Sequence, residues 1–366
     1  MIKLLFSGDF APLVPPDMIS ENHFQGIEPI LDSVDVHITN LECPFTLSND
    51  AFDKPGALFK ANPIAIRLLK QARVNVACMA NNHILDYHEK GILDTLDICT
   101  QNGIDCLGLV SLPDGRKHWL VKEVNGKRIG FLNYCEHEFS VREPGLLGAC
   151  GYDAVDAFYH IKELRPQVDY LILIYHGGNE FYPLPNPQVK KDFHYLADLG
   201  ADAVIGHHTH VYSGYEIYKG KPLVYSLGNF FFPSSDGPEE WHRSIVCKME
   251  ISETIKFQLI PVTQCKDGFS VSQQSKGKGE NIKKHIEELS AILIDDVKLE
   301  GEWQKFALIK GKNLTSFFMY SNRIERKLSK FNLFKKYYDR SNRQKILFNS
   351  VRCASTKKML IDNLKP

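Results

Sequence analysis

The chain has 366 residues, with 44 Lys+Arg matched by 44 Asp+Glu, 43% hydrophobic and 24% charged residues. Such values exclude an intrinsically disordered chain, a collagen-like repeat and a disulfide-dense miniprotein, and they leave ample chain for a core. The zero net charge hides an asymmetry: residues 271–366 hold 21 basic against 10 acidic side chains, +11, so residues 1–270 carry −11.

The apolar, β-branched runs predict strands at Ile2 to Ser7, Val34 to Thr39, Val74 to Met79, Arg128 to Tyr134, Tyr170 to Tyr175, Ala203 to Gly206 and Leu223 to Leu227. Helical spacing lies between them. Pro63 to Ala72 follows Asn62, a good cap, with Pro at the first helical position; His88 to Gln101 keeps Ile92, Leu93, Leu96 and Cys99 on one face and stops at Gly103. Tyr152 to Leu164 and Gln188 to Leu199 repeat the pattern, the second closed by Gly200. Alternating strands and helices indicate an α/β sheet. Ser244 to Ile251 and Ile255 to Val262 read as an antiparallel pair, Ser270 to Asn281 as a linker rich in Gly, Ser, Lys and Gln, and Ile282 to Leu293 and Leu314 to Tyr338 as helices. The expected domains are therefore 1–265, a linker at 266–281, and a basic, mainly helical extension at 282–366.

The nine cysteines are odd in number, scattered and never spaced C-x-x-C, so reduced, mostly buried thiols are expected. Ile2-Lys3-Leu4-Leu5-Phe6 is too short for a signal h-region, and no run of 18 apolar residues exists. The expected location is the cytoplasm, with the basic tail giving peripheral contact with the inner membrane face.

Position makes the polar residues informative. Asp9, Asn40-Leu41-Glu42, Asn81-Asn82-His83, His176-Gly177-Gly178-Asn179-Glu180 and His207-His208-Thr209-His210 each follow an apolar run. In an open α/β sheet, ligand sites lie beyond the carboxyl ends of the strands, so the five clusters can converge on one pocket. Singly, each has an ordinary reading: Gly-Asp suits a turn, Asn82 suits a helix cap, and His176 suits a core histidine with satisfied nitrogens. Together, carboxylates, an Asn and several His match the ligand set of a divalent metal. In an extended His208-Thr209-His210, alternate residues would point the same way and share a site.

These segments, with Asp86, Gly91 and Thr95 after Asn82-His83, Gly200 to His210, and Tyr225-Ser226-Leu227-Gly228-Asn229-Phe230, resemble the CapA family of capsule and poly-γ-glutamate synthesis, within the calcineurin-like metallophosphatase superfamily. The likeness covers residues 1 to about 260. It implies a four-layer α/β/β/α sandwich with two divalent metal ions (Mn, Zn or Fe) at one edge. By that pattern Asp9 binds the first metal, Glu42 or Asn40 bridges, Asn82, His176 and His208 bind the second, and His210 returns to the first. His83 is the implied general acid or transition-state stabiliser, oriented by Asp86, while Asn81, Glu180, His207 and Asn229 face substrate. The pattern departs at Ala11, where the superfamily carries a His, and at Asn40-Leu41-Glu42, where it carries a bridging Asp.

The implied activity is dimetal hydrolysis of a phosphoester or amide in capsule or envelope polymer metabolism, with an anionic polymer or phosphorylated precursor as partner. A non-catalytic assembly factor for an anionic-polymer synthase is the alternative, and the basic tail would be its docking element. The aromatics Phe317, Phe318, Phe331, Phe334, Tyr337 and Tyr338 beside Lys/Arg suggest membrane contact for that tail. No nucleic-acid module accompanies the charge. Position alone selects none of Arg67, Arg142 and Arg243 as an anion holder.

Overall fold

The first apolar run is hydrophobic on both faces, as a strand covered on both sides must be, and it forms β1 (Ile2–Phe10). In a computed structural model, which describes residues 1–266 and 268–319 (312–319 as helix backbone alone), the later strands are β2 (Val36–Leu41), β3 (Val76–Cys78), β4 (Asp105–Leu107), β5 (Leu109–Val110), β6 (Leu120–Val124), β7 (Lys127–Cys135), β8 (Gly148–Ala149) and β9 (Tyr170–His176). Then come β10 (Ala203–His207), β11 (Tyr215–Tyr218), β12 (Lys221–Val224), β13 (Asn229–Phe231), β14 (Arg243–Ile251), β15 (Ile255–Gln264) and β16 (Val271–Gln273). The α-helices are α1 (Glu28–Leu31), α2 (Ile66–Gln71), α3 (His88–Gln101), α4 (Ala154–Leu164), α5 (Pro187–Leu199), α6 (Lys276–Leu293) and α7 (Asp296–Met319).

Two sheets face each other. One runs β16-β15-β14-β1-β2-β3-β4, with β13 beside the end of β1, and the other runs β11-β12-β10-β9-β7-β6. Leu4, Phe6, Ile38 and Val76 of the first sheet meet Phe131, Ile172, Ile174 and Ile205 of the second in one buried cluster. Each such side chain contributes roughly 1.5–3 kcal/mol by leaving water. Strand alternation turns Leu5, Leu41 and Ala77 outward onto Leu68 and Leu69 of α2 and Cys99 of α3. On the far side α4 and α5 cover the second sheet, with Leu164 beside Gly130 and Phe193 against Tyr175. This is the expected four-layer α/β/β/α sandwich, in a unit spanning Met1–Leu299.

The helix signals act as predicted. Asn62 Oδ1 accepts the Ile64 N–H at 3.1 Å, and a 3-10 turn at Pro63–Ala65 leads into α2. Asn186 caps α5 by accepting from Gln188 and Val189, and Asp153 caps α4. The expected linker is the clearest correction. Residues 271–273 pair with β15 as β16, and α6 begins at Lys276 and packs Ile282, Ile286, Leu289 and Leu293 inward. Polar composition concealed them because β16 is a three-residue edge strand with Val271 alone buried, and the first turns of α6 show only Gly279 to the interior. The division between units falls at Leu299 and Glu300, not within 266–281. In the second unit the described part is helix, with Gln304 bonded to Glu300 and Lys305 paired with Glu302. The predicted helix beyond Met319, the tail aromatics and Cys353 lie outside the described side chains. The eight described cysteines are free, seven of them buried and Cys106 half-buried. Among the described residues no helix is long and apolar enough to cross a membrane.

Candidate metal centre

All five polar clusters converge at one sheet edge, and small backbone devices place them. Ser7 stands opposite Thr39 and Asp9 opposite Asn40, so Gly8 is an extra residue in β1, a bulge that re-aims the side chain after it. Only glycine fits there: a Cβ on Gly8 would lie 1.8 Å from the Gly228 carbonyl oxygen, which accepts the Asp9 N–H at 3.0 Å. Glu42 follows β2 directly and donates its N–H to Phe10 O. His176 and His207 stand at paired ends of β9 and β10. Beyond β10 the expected extended segment is absent. His208 (φ 92°) and His210 (φ 59°) are both left-handed, so a strained turn, not strand alternation, brings their rings to one site. Such strain persists where surrounding contacts hold it, commonly at functional sites.

Two groups of ligand atoms lie within 4.8 Å of one another: Glu42, His176 and His208, and Asp9, Glu42 and His210. Glu42 belongs to both. Its Oε1 is 3.8 Å from His176 Nε2 and 3.8 Å from His210 Nε2, and among the described residues it has no hydrogen-bond partner although buried. His176 Nε2 is 3.0 Å from Asn82 Oδ1 and 3.1 Å from His208 Nδ1, while His176 Nδ1 is buried and unpartnered. Buried polar atoms are rarely left so. Asp9 Oδ1 accepts from Asn40 Nδ2 at 2.8 Å, and Asp9 Oδ2 accepts from the His208 N–H at 3.2 Å and stands 3.5 Å from His210 Nδ1.

The electrostatics follow from burial and crowding. Burial raises the Asp9 carboxyl, but His207 and His210 outweigh it and hold that group well below the usual range. Burial and then the Asp9 charge push Glu42 well above its usual range. Burial, then His208, keeps His176 well below, and burial with His210 lowers His208 to about 4. For His210 the pull of Asp9 overcomes burial and raises it. Two carboxylates thus compete for positive charge in a fully buried space, which suits cation ligation.

Beside this cluster, His83 Nδ1 bonds Asp86 Oδ2 at 2.7 Å, and Phe59 N donates to the same oxygen. Lys54 was not foreseen. Its buried amine pairs with Asp86 Oδ1, lies 3.3 Å from His83 Nδ1 and donates to Asn82 O at 3.1 Å. It reaches the site from an irregular loop, where no periodicity marks it. A cavity of about 350 Å³ opens above, lined by Lys54, His83, Glu138, Glu180, His210 and Trp241 among others. Glu138 and the aromatics Phe59, Phe139, Phe181, Phe232 and Trp241 at this cavity were likewise not singled out.

Of the four residues expected to face substrate, Glu180 lines the cavity. Asn81 is buried behind it, donating to Leu41 O at 2.8 Å and accepting the His83 N–H at 3.1 Å. Asn229 holds His210 Nδ1 at 2.9 Å and donates to Trp241 O, and His207 lies beside Asp9 at 3.4 Å. These three shape the cluster rather than the opening. Asn40 turns its amide nitrogen toward Asp9 and, at 3.5 Å, toward Glu42. It ties the carboxylates together as a donor, which removes it as a bridging ligand. Arg142 pairs with Glu89 at 2.5 Å, away from the centre, and Arg67 is exposed.

A family model described as "Bacterial capsule synthesis protein PGA_cap" matches residues 3–234. The chain belongs to this family. Among its relatives, the PGA biosynthesis protein CapA of Bacillus subtilis is 31% identical over 62% of the chain and 61% of its own length. The capsule biosynthesis protein CapA of Bacillus anthracis is 28% identical over 57% of the chain and 53% of its own length. The PGA_cap chain therefore spans between half and two thirds of the length of these relatives. A solved structure from Mycoplasma pneumoniae, titled a novel phosphatase, aligns at TM-score 0.45 with 18% identity over 72% of this chain and 93% of that one.

Proposed function

We propose that this chain is a divalent-metal-dependent hydrolase acting on a phosphoester or amide in capsule or cell-envelope polymer biosynthesis. The supporting observation is the pair of buried ligand groups joined through Glu42, whose Oε1 has no hydrogen-bond partner among the described residues. Orphaned atoms on Glu42 and His176, with oxygen and imidazole donors, fit a borderline divalent cation. Asp9, Glu42 and His210 would hold one ion, and Glu42, His176, His208 and Asn82 a second. When bound, such ions supply Lewis acidity, activating water and holding the oxygens of a phosphate-like group.

The protein's own residues supply the proton chemistry. With Nδ1–H given to Asp86, the His83 ring stands at the cavity and presents Nε2 to the leaving group as general acid. Lys54 neutralises Asp86, so that carboxylate orients the ring without keeping its proton. The PGA and capsule biosynthesis relatives fit the poly-γ-glutamate role that the family resemblance implies, and an anionic polymer or phosphorylated precursor is the partner class this reading takes. Contact of the tail with a membrane or a synthase belongs to the same reading.

The test is metal analysis of purified protein beside turnover of aryl phosphates and γ-linked glutamyl amides. Bound divalent metal and activity are expected, both lost in His208→Ala. A protein that takes up no metal after reconstitution would falsify the reading. Metal without turnover would favour the assembly-factor role instead, to which one observation already leans: Ala11 is fully buried where the superfamily pattern carries an imidazole.

A further inference from the structure

A cleft larger than the one above the metal centre lies elsewhere in the first unit. It measures about 540 Å³ and is lined by β14, β15, β16 and the start of α6, with Arg243, Lys266, Lys278, His242, His285 and Glu239 around it. Three permanent cations face one carboxylate there, in a region that is otherwise acidic. Glu239 engages both Arg243, at 2.5 Å, and Lys266, at 3.6 Å, so its single charge is shared and a net positive field remains. Ser275 at the N-cap of α6 makes no capping hydrogen bond, which leaves first-turn N–H groups to add to that field.

His242 indicates what kind of anion fits. It is 8% exposed, and its Nδ1 is fixed against the Gln264 carbonyl at 3.1 Å. Nδ1 therefore carries the hydrogen, and in the neutral ring Nε2 is the nitrogen left with a free lone pair, on a residue that lines the cleft. A lone pair asks for an N–H or O–H from the ligand. Gln274 gives its amide nitrogen to Thr263, leaving its oxygen as a further acceptor on the same wall. Cations for carboxylates and acceptors for amide hydrogens together describe an anionic polyamide, whereas a polyphosphate at neutral pH offers no donor.

The two openings adjoin through one short segment. Trp241 lines the cavity above the metal centre, and the next residues, His242 and Arg243, line the cationic cleft. The first carries Glu138 and Glu180, which repel carboxylates, and the second carries the cations. We infer that this cleft binds the carboxylate-bearing polyamide chain that flanks the reacting link, an inference that rests on the hydrolase reading for its placement beside the centre.

The experiment uses the full chain, fluorescence anisotropy with labelled poly-γ-glutamate oligomers, and polyphosphate of matched charge as the second probe. Lys266→Glu with Lys278→Glu should weaken polyglutamate binding about tenfold or more, with melting temperature and metal content unchanged. If charge reversal prevents folding, Lys266→Gln with Lys278→Gln should give a smaller loss of the same sign. His242→Phe should weaken polyglutamate more than polyphosphate. Wild-type affinity in the lysine variants would assign binding to the basic C-terminal region and overturn the proposal. Equal loss of both probes in His242→Phe would overturn the polyamide assignment. Metal content separates the two readings: a metal-free protein that still binds polyglutamate through these lysines sinks the hydrolase alone, and a metal-loaded one that binds without them sinks the cleft alone.

Discussion

Two buried polar clusters sit on neighbouring turns of the same pair of strands, and they are built on opposite principles. Ser7, His37 and Thr39 lie in β1 and β2, just below Asp9, Asn40 and Glu42. In the lower cluster His37 Nδ1 donates to Ala72 O at 2.7 Å, Nε2 meets the Ser7 hydroxyl at 2.7 Å, and Thr39 donates to Gly8 O at 3.0 Å. In the upper cluster, Glu42 Oε1 and the neighbouring His176 Nδ1 lack hydrogen-bond partners among the described residues. Burial is equally complete in both, so burial does not mark the functional cluster. The unsatisfied atoms do, because an orphaned buried group costs about 1–3 kcal/mol unless something external satisfies it.

The largest effect that tests this contrast is Glu42→Gln. The change is nearly isosteric and keeps an acceptor for Asn40, but it removes the charge shared by both ligand groups. Metal affinity, read by competition with a chelating dye, should fall by more than about a hundredfold, since even outer-shell partners of metal ligands are worth about 10- to 100-fold. Stability of the metal-free protein should move the other way. Burial, then the Asp9 charge, raises Glu42, so its contribution is present below the ordinary glutamate range and is lost as pH rises above it, and the amide escapes that loss. Unchanged metal affinity, or a metal-free variant that melts lower at pH 8, would mean that Glu42 is structural like its neighbours.

His37 gives the next effect. Burial lowers this ring to about 4 from 6.5, against the pull of the Ala72 carbonyl. A histidine depressed on folding leaves stability intact above pH 6.5 and withdraws it as pH falls toward 4, by up to about 3 kcal/mol. Denaturant titrations of wild type and His37→Phe should differ in slope across that window, the variant being flatter though less stable at pH 7. Parallel curves would show that the lower cluster tolerates the charge and is not closed. Metal content should stay the same in both.

How much of this was legible depends on what each residue's position encodes. Asp9, Glu42, His176 and His208 were visible because each stands where a strand must stop, and strands announce themselves by apolar runs. The sandwich was visible for the same reason, through the runs and through caps such as Asn62 and Asn186. Lys54 was not, since it comes from an irregular loop and meets His83 only through the tertiary fold. The left-handed turn at His208 and His210 was read as extended because both side chains had to share a site, and strand alternation is the simpler way to arrange that. The bulge at Gly8 leaves no trace in spacing until the register of β1 against β2 is known. Val271–Gln273 was lost to composition, an edge strand too short to show a pattern.

The smallest effect probes whether the two clusters are independent. Thr39→Val keeps shape and deletes the hydroxyl that donates to Gly8 O. The carbonyl loses one bond in a buried place, which should cost about 1 kcal/mol in a melting experiment. Gly8 is also the bulge that aims Asp9, so slack in its carbonyl would rotate the Asp9 carboxylate away from His210 and the His208 N–H. If Gly228 O, bonded to the Asp9 N–H at 3.0 Å, fixes the bulge by itself, metal affinity in Thr39→Val stays within about twofold of wild type. A loss comparable to that of an outer-shell partner, about tenfold, would show instead that the satisfied cluster is the support on which the unsatisfied one stands, and the division between them would be one of distance rather than of role.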